Sequence, residues 1–261
     1  MTLEQVASST DIATSTLSRI ETAQIGAKPV NVRALLSLYG VTGEDAEALV
    51  QLARDARQRG WWHAYSGVIS AEYADYIALE AEAVTVLNYE PTIMPGLLQT
   101  AAYYQAIGAS RSEFDDLPDG TIERRTEVRL ERQRRLRTSP TLTFHAILEE
   151  TILHRVVGGA EVMREQLAHI CEIARLENVT VQLIPERVGS HPGLLGGFSI
   201  LTFDDPDHRP DVGYADFVAG QVFLQHEQEV ARCHAVFTYL STMAMSNEKS
   251  AELVASLAGS F

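Results

Sequence analysis

Apolar residues in the first sixty positions recur at helical intervals. Leu3, Val6 and Ala7 are spaced i, i+3, i+4, and Leu17 and Ile20 resume three residues apart, with Ile12 between the two groups. This pattern predicts two short helices joined by a tight turn. Thr2 and Gln5 fit a capping box, which starts the first helix at Thr2. Val32, Leu35, Leu36 and Tyr39 mark a third helix, with Gly40 as its stop. Ala46, Leu49, Val50 and Ala53 open a fourth, whose end carries Arg54, Arg57 and Arg59, as the helix dipole favours. Trp61-Trp62 marks a junction and reads as a packing surface between halves rather than a ligand cage.

Beyond the junction, Tyr73, Tyr76, Ile77, Glu80, Val84 and Leu87 predict one long helix over residues 71–89. Pro91 and Pro95-Gly96 interrupt the chain, and a helix resumes over 97–107. Residues 121–137 predict a helix with seven arginines and three glutamates. The period then changes to two. Leu142, Phe144, Ala146 and Leu148 alternate with Thr143, His145 and Ile147, a strand signal. Helices are expected at 149–157 and 160–176, and a strand at Val179–Ile184 that stops at Pro185. The glycine-rich loop 189–197 has no G-x-x-x-x-G-K-[ST] signature and no helix after it, so it is not a phosphate loop. Short strands at 198–203, 212–218 and 222–224 precede helices at 227–243 and 247–258. The predicted class is α+β: an all-α helix-turn-helix module over residues 1–60, then an α/β domain over 61–261 whose small mixed sheet offers a pocket.

Composition narrows the function. The chain has 261 residues, room for one large domain or two smaller ones, and 46% of them are hydrophobic, ample for a core. No apolar run is long enough to span a membrane, and the N-terminus does not read as a secretory signal, so a cytoplasmic protein is expected. Cys171 and Cys233 are expected as reduced, buried thiols and cannot form a metal site alone. The formal net charge is −14, unusual for a dedicated nucleic-acid binder. Residues 1–60 carry six Lys and Arg against seven Asp and Glu, so any DNA binding is expected to be weak and salt-sensitive.

The first two helices nevertheless have the layout of a helix-turn-helix, whose second helix sets its N-terminal side chains against base edges. Thr14, Ser15, Thr16, Ser18 and Arg19 point outward from that helix as candidate DNA contacts, with Lys28 and Arg33 placed for phosphates. The plainer reading of the same pattern is a helical hairpin that only packs on the rest of the chain.

Residues 2–60 resemble the Xre/Cro-type helix-turn-helix of actinobacterial regulators. The strings Leu17-Ser18-Arg19-Ile20-Glu21, Val32 to Val41 and Ala53 to Trp62 carry the likeness. The remainder resembles the C-terminal domain of unknown function that those regulators carry, with Met94-Pro95-Gly96-Leu97-Leu98-Gln99-Thr100 as its strongest mark. The resemblance implies a homodimeric transcriptional regulator that binds operator DNA and responds to a small-molecule effector or a small protein partner. There are two departures. The chain starts without the basic first helix usual before the position of Thr2. Asp11 and Ala13 stand where those regulators tend to have the turn glycine and the Ser cap. Asp enters the left-handed region at modest cost, but Ala caps poorly.

For the effector pocket the candidates are Gln99, Tyr103, Arg129, Arg132, Gln133 and Glu149. Arg129, Arg132 and Gln133 share a helix face at i, i+3, i+4. The arginine-rich helix reads first as a solvated, salt-bridged element and second as an anion clamp. Glu149-Glu150 follows a strand end, where carboxylates do acid–base work or simply start a helix. His145, His154, His191 and His226 are scattered, and Asp204-Asp205-Pro206-Asp207 is most simply a polar turn. No H-E-x-x-H, C-x-x-C or G-x-S-x-G occurs, so neither metal nor cofactor is expected. The competing function is a cofactor-independent, cyclase-type natural-product enzyme with a vestigial helix-turn-helix. A third is a scaffold that binds a protein partner and no ligand.

Overall fold

The computed structural model describes residues 1–10, 12–22, 27–55, 60–111, 114, 117–139, 142–204 and 209–261. Asp11, Arg57, Arg59 and Asp205-Pro206-Asp207, with the side chain of Arg54, lie outside the described residues. The chain forms two compact units, Met1–His63 and Ala64–Phe261. Among the described residues no helix is long and apolar enough to cross a membrane.

The first unit holds α1 (Leu3–Thr10), α2 (Thr14–Glu21), α3 (Pro29–Tyr39) and α4 (Glu44–Asp55). The capping box forms as expected: the Thr2 amide donates to Gln5 Oε1 at 2.8 Å and the Gln5 amide to Thr2 Oγ1 at 3.3 Å. Ala13 caps α2 without a side-chain hydrogen bond. Val6, Ile12 and Leu17 are buried together, with Leu3, Ala7, Ala34, Leu35 and Leu38 against them, so α1, α2 and α3 share one small core. Gly40 ends α3 in the left-handed region at φ 72°, which an L side chain rarely adopts.

The second unit is built on a six-stranded mixed sheet. Its strands are β1 (Thr85–Glu90), β2 (Thr143–Glu149), β3 (Val179–Ile184), β4 (Phe198–Thr202), β5 (Val212–Phe217) and β6 (Gly220–Leu224). The order is β3-β2-β1-β4-β5-β6, parallel from β3 to β1 and antiparallel from β1 to β6. Around it lie α5 (Ala71–Glu82), α6 (Ala101–Arg111), α7 (Thr121–Thr138), α8 (Thr151–His154), α9 (Ala160–Ile173), α10 (Glu227–Met243) and α11 (Asn247–Ala258). The main core, including Val86, Phe144, Val181 and Leu201, packs one sheet face against α5, α6, α7, α9 and α11. A smaller core around Tyr89, Ile147 and Ile200 packs the other face against Val230, Phe237 and Leu240 of α10. The β3 edge is covered: the Val181 and Leu183 amides donate to Asn247 Oδ1 and Ser250 Oγ of α11.

Three predicted elements are corrected. The long helix over 71–89 stops at Glu82, and Val84 to Glu90 turn into the central strand β1. Val86 and Tyr89 are buried on opposite faces, so both faces of this strand lie in a core and the helical spacing there is fortuitous. The helix expected at 149–157 shrinks to α8, because β2 runs through Glu149 and Arg155 is already extended at φ −77° and ψ 106°. The helix expected from Leu97 begins at Ala101, after a single 3-10 turn at Gly96–Leu98.

Candidate functional site

In the first unit, buried Leu17 seats α2 in the small core. Thr14, Ser15 and Arg19 are exposed, while Thr16 and Ser18 are half-buried. Lys28, just before α3, and Arg33, on it, are both exposed. The Thr14, Ser15 and Thr16 hydroxyls therefore sit in the first turn of α2, and Ser18 and the Arg19 guanidinium one turn further on.

In the second unit, Met94 to Thr100 forms an arch of backbone between β1 and α6, and two glutamines fasten it. Gln133 on α7 donates through Nε2 to the Gly96 and Gln99 carbonyls, at 2.9 and 2.7 Å. Gln166 on α9 donates to the Leu98 carbonyl at 2.6 Å and accepts from the Thr100 amide at 2.7 Å. Thr100 Oγ1 in turn accepts from the Tyr103 amide at 3.2 Å, and α6 starts there. Gln99 turns its own amide inward and donates to the Met94 carbonyl at 2.6 Å.

Beneath the arch Arg132 and Glu80 form a buried bidentate pair, 5% and 2% exposed. Nε meets Oε1 at 2.8 Å and Nη2 meets Oε2 at 2.6 Å. Arg132 also donates to the Tyr73 hydroxyl and lies over the Tyr73 and Tyr76 rings. Burial alone lowers the Arg132 pKa, but the adjacent Glu80 carboxylate more than reverses this and raises it well above the usual arginine value.

A cavity opens between this pair, the arch and the sheet. It has two lobes of about 150 and 190 Å³ that share Tyr73, Tyr104, Arg129 and Asp216. Asn88, Glu90, Gln99, Ser199 and Tyr214 line the inner lobe. Asn88 donates to Ser199 Oγ at 2.8 Å, and the Arg129 guanidinium sits 4.2 Å over the Tyr104 ring. Among the described residues six buried side-chain polar atoms lack a partner, and four of them belong to residues lining this lobe: Asn88 Oδ1, Gln99 Oε1, Arg129 Nε and Tyr214 Oη. Orphaned polar atoms are costly unless something fills the space they face, so their convergence marks a binding site. Glu90 is pushed up to about 7, first by burial and then by repulsion from Asp216, with Asn88 and Arg129 pulling the other way.

Residues 1–49 match the family described as a helix-turn-helix domain, and residues 73–256 match the family described as a domain of unknown function, DUF5753. The chain belongs to the DUF5753 family. No curated protein and no solved structure matches it. The helix-turn-helix domain points to a DNA-binding regulator, and Thr14, Ser15, Thr16, Ser18, Arg19, Lys28 and Arg33 all fall inside it. The description of DUF5753 assigns no chemistry, and the inner lobe falls wholly within its span.

Three of the six pocket candidates, Gln99, Arg129 and Arg132, line the DUF5753 cavity. Gln133 stands behind it as a brace for the arch. Tyr103 is fully buried, and its hydroxyl accepts from the Met94 amide at 3.4 Å. Glu149 is apart from the rest, on the α10 side of the sheet. There it accepts from the Tyr89 hydroxyl at 2.8 Å and lies 3.2 Å from His191 Nε2. The arginine-rich α7 is not a solvated helix all round: Arg132, Gln133 and Arg135 face the arch and α5, while Arg134 and Arg137 keep surface ion pairs. Sequence reasoning passed over Asn88, Glu90, Tyr214 and Asp216. No local pattern marked the first two, because β1, covered on both faces, shows no apolar alternation and the segment read as helix.

Proposed function

We propose that this protein is a transcriptional regulator of Xre type that acts in the cytoplasm as a dimer on operator DNA. Residues 1–60 read the DNA, and residues 61–261 sense a small molecule or a protein partner. The observation that carries the reading is the outward face of α2, where Thr14, Ser15 and Arg19 stand exposed on a helix seated by Leu17. Hydroxyls in the first turn suit either base type or a phosphate, and Arg19 suits guanine. Lys28 and Arg33 take the adjoining phosphates. Likeness to actinobacterial regulators through Leu17-Ser18-Arg19-Ile20-Glu21 supports the same assignment. The four orphaned polar atoms of the cavity favour a small molecule as the signal.

The test is fluorescence anisotropy of the full chain with the DNA upstream of its own gene, at low and moderate salt. Specific binding is expected, weaker at higher salt. Arg19→Ala is expected to lose about ten- to a hundredfold in affinity for that site, the worth of a good bidentate base contact. Absence of binding at low salt overturns the DNA-reading role.

A further inference from the structure

The cavity has a polarity that narrows what it can hold. In the inner lobe two carbonyl oxygens accept nothing, Asn88 Oδ1 and Gln99 Oε1, in side chains 7% and 2% exposed. Both amides are oriented by their NH2 ends, which donate to Ser199 Oγ and the Met94 carbonyl. The Glu90 and Asp216 carboxyl groups add negative potential there. In the same lobe Arg129 presents an unpartnered Nε–H. Arg132 is no second anion receptor, because Glu80 already takes its Nε and Nη2. The lobe thus offers two acceptors beside carboxyl groups together with one charged donor, a set that a ligand carrying both a cationic donor and an anion satisfies.

We propose that this cavity is a receptor for a small zwitterion of the free amino-acid class, its ammonium held by Asn88, Gln99 and Glu90 and its carboxylate by Arg129. The proposal names the effector of the sensor reading above and rests on that reading. A simple anion would meet the Glu90–Asp216 pair, and a simple cation would meet Arg129. A neutral amide would satisfy the carbonyls but bring no charge to Glu90 or to Arg129. Lobes of about 150 and 190 Å³ admit an amino acid, the inner one its charged head and the outer one, lined by Ile69, Ser70, Tyr73, Tyr104, Gln221 and Arg125 (whose Nε donates to the Val68 carbonyl), its side chain.

An ammonium at this place also moves a proton. Glu90 faces Asp216 of β5, Arg129 of α7 and Tyr103 of α6, with Asn88 beside it on its own strand. With Glu90 near 7, an arriving cation favours its ionised form, so binding at neutral pH releases protons.

The test is isothermal titration of the full chain with each of the twenty L-amino acids, in two buffers of different ionisation enthalpy. The tightest binder is followed by its two one-armed counterparts, the amine without the carboxylate and the acid without the ammonium. One-to-one binding with proton release is expected. Each counterpart, and each of Arg129→Gln and Glu90→Gln, is expected to bind about ten- to a hundredfold more weakly, the worth of one charge-assisted hydrogen bond. Gly96→Ala is a second route to the same end. A Cβ there overlaps the flexible guanidinium of Arg129 and only touches Arg132 Nη1, at 3.4 Å, so it is the Arg129 guanidinium that shifts. A one-armed counterpart that binds as tightly as the amino acid overturns the proposal, as does the failure of all twenty to bind. Anisotropy with the upstream DNA, run alongside, separates the two readings. DNA binding without amino-acid binding overturns the ligand class alone, and amino-acid binding that leaves DNA affinity unchanged overturns the sensor role alone.

Discussion

Arg132 and Glu80 are each almost wholly buried, so each is tolerable only because the other is there. Replacing Glu80 by Leu leaves an uncompensated guanidinium in the core and is expected to cost about 3–5 kcal/mol in urea unfolding. Adding Arg132→Met to Glu80→Leu is expected to recover most of that loss, because an apolar pair of similar volume needs no partner. Glu90 illustrates the opposite balance. Its carboxyl moves from 4.5 to about 7 on folding, so between those values the folded chain holds a proton that the unfolded chain has released. Stability therefore falls as pH rises through that window, and the loss is complete above it. In Glu90→Gln that part of the slope disappears, which urea midpoints measured from pH 4.5 to 8 read directly. Arg132 illustrates what a sequence conceals at this scale. A run of seven arginines looks solvated until one of them is found facing a buried glutamate 52 positions earlier.

Among the elements, α2 has the weakest start. Ala13 occupies an extended cap conformation, φ −57° and ψ 139°, and offers no oxygen to the free amides of the first turn. Ala13→Ser supplies one and is expected to stabilise the first unit by about 0.5–2 kcal/mol, seen as a higher thermal midpoint of that unit. The capping box at Thr2 and Gln5 was legible because it is a local code, written within one turn. Strand β1 was not legible. Its neighbours β2 and β4 come from residues 143–149 and 198–202, and a strand covered on both faces loses the alternation that marks a half-exposed one. The arch at Met94–Thr100 stood out as a motif, yet of its two fastenings Gln133 on α7 was marked only as sharing a face with Arg129 and Arg132, and Gln166 on α9 by no local pattern.

Across the molecule, each unit keeps its own core. That of residues 1–63 rests on Val6, Ile12 and Leu17, whereas residues 64–261 bury two extensive clusters against a six-stranded sheet. A domain that small buries a lower fraction of its surface and is the more marginal of the two. Calorimetry of the full chain is expected to resolve two transitions, and a fragment of residues 64–261 to retain only the upper one. A single transition lost on truncation would show instead that the units fold as one. The sequence by itself determined the helical first unit, its capping box and the exposure of Thr14, Ser15 and Arg19 on α2, though not the half-burial of Thr16 and Ser18. It also carried the α+β class and most helices and strands of the second unit. These depend on periodicity and on hydrogen bonds a few residues long, which a chain displays in order. Tertiary structure alone decided the place of β1, the burial of Arg132 with Glu80, and the separation of Glu149 from Gln99 and Arg129 by the thickness of the sheet. It alone gathered Asn88, Gln99, Arg129 and Tyr214 around one cavity. Such groupings join residues tens to more than a hundred positions apart, and their cause is the shared cost of burying polar atoms, which exists only once the chain has folded around them.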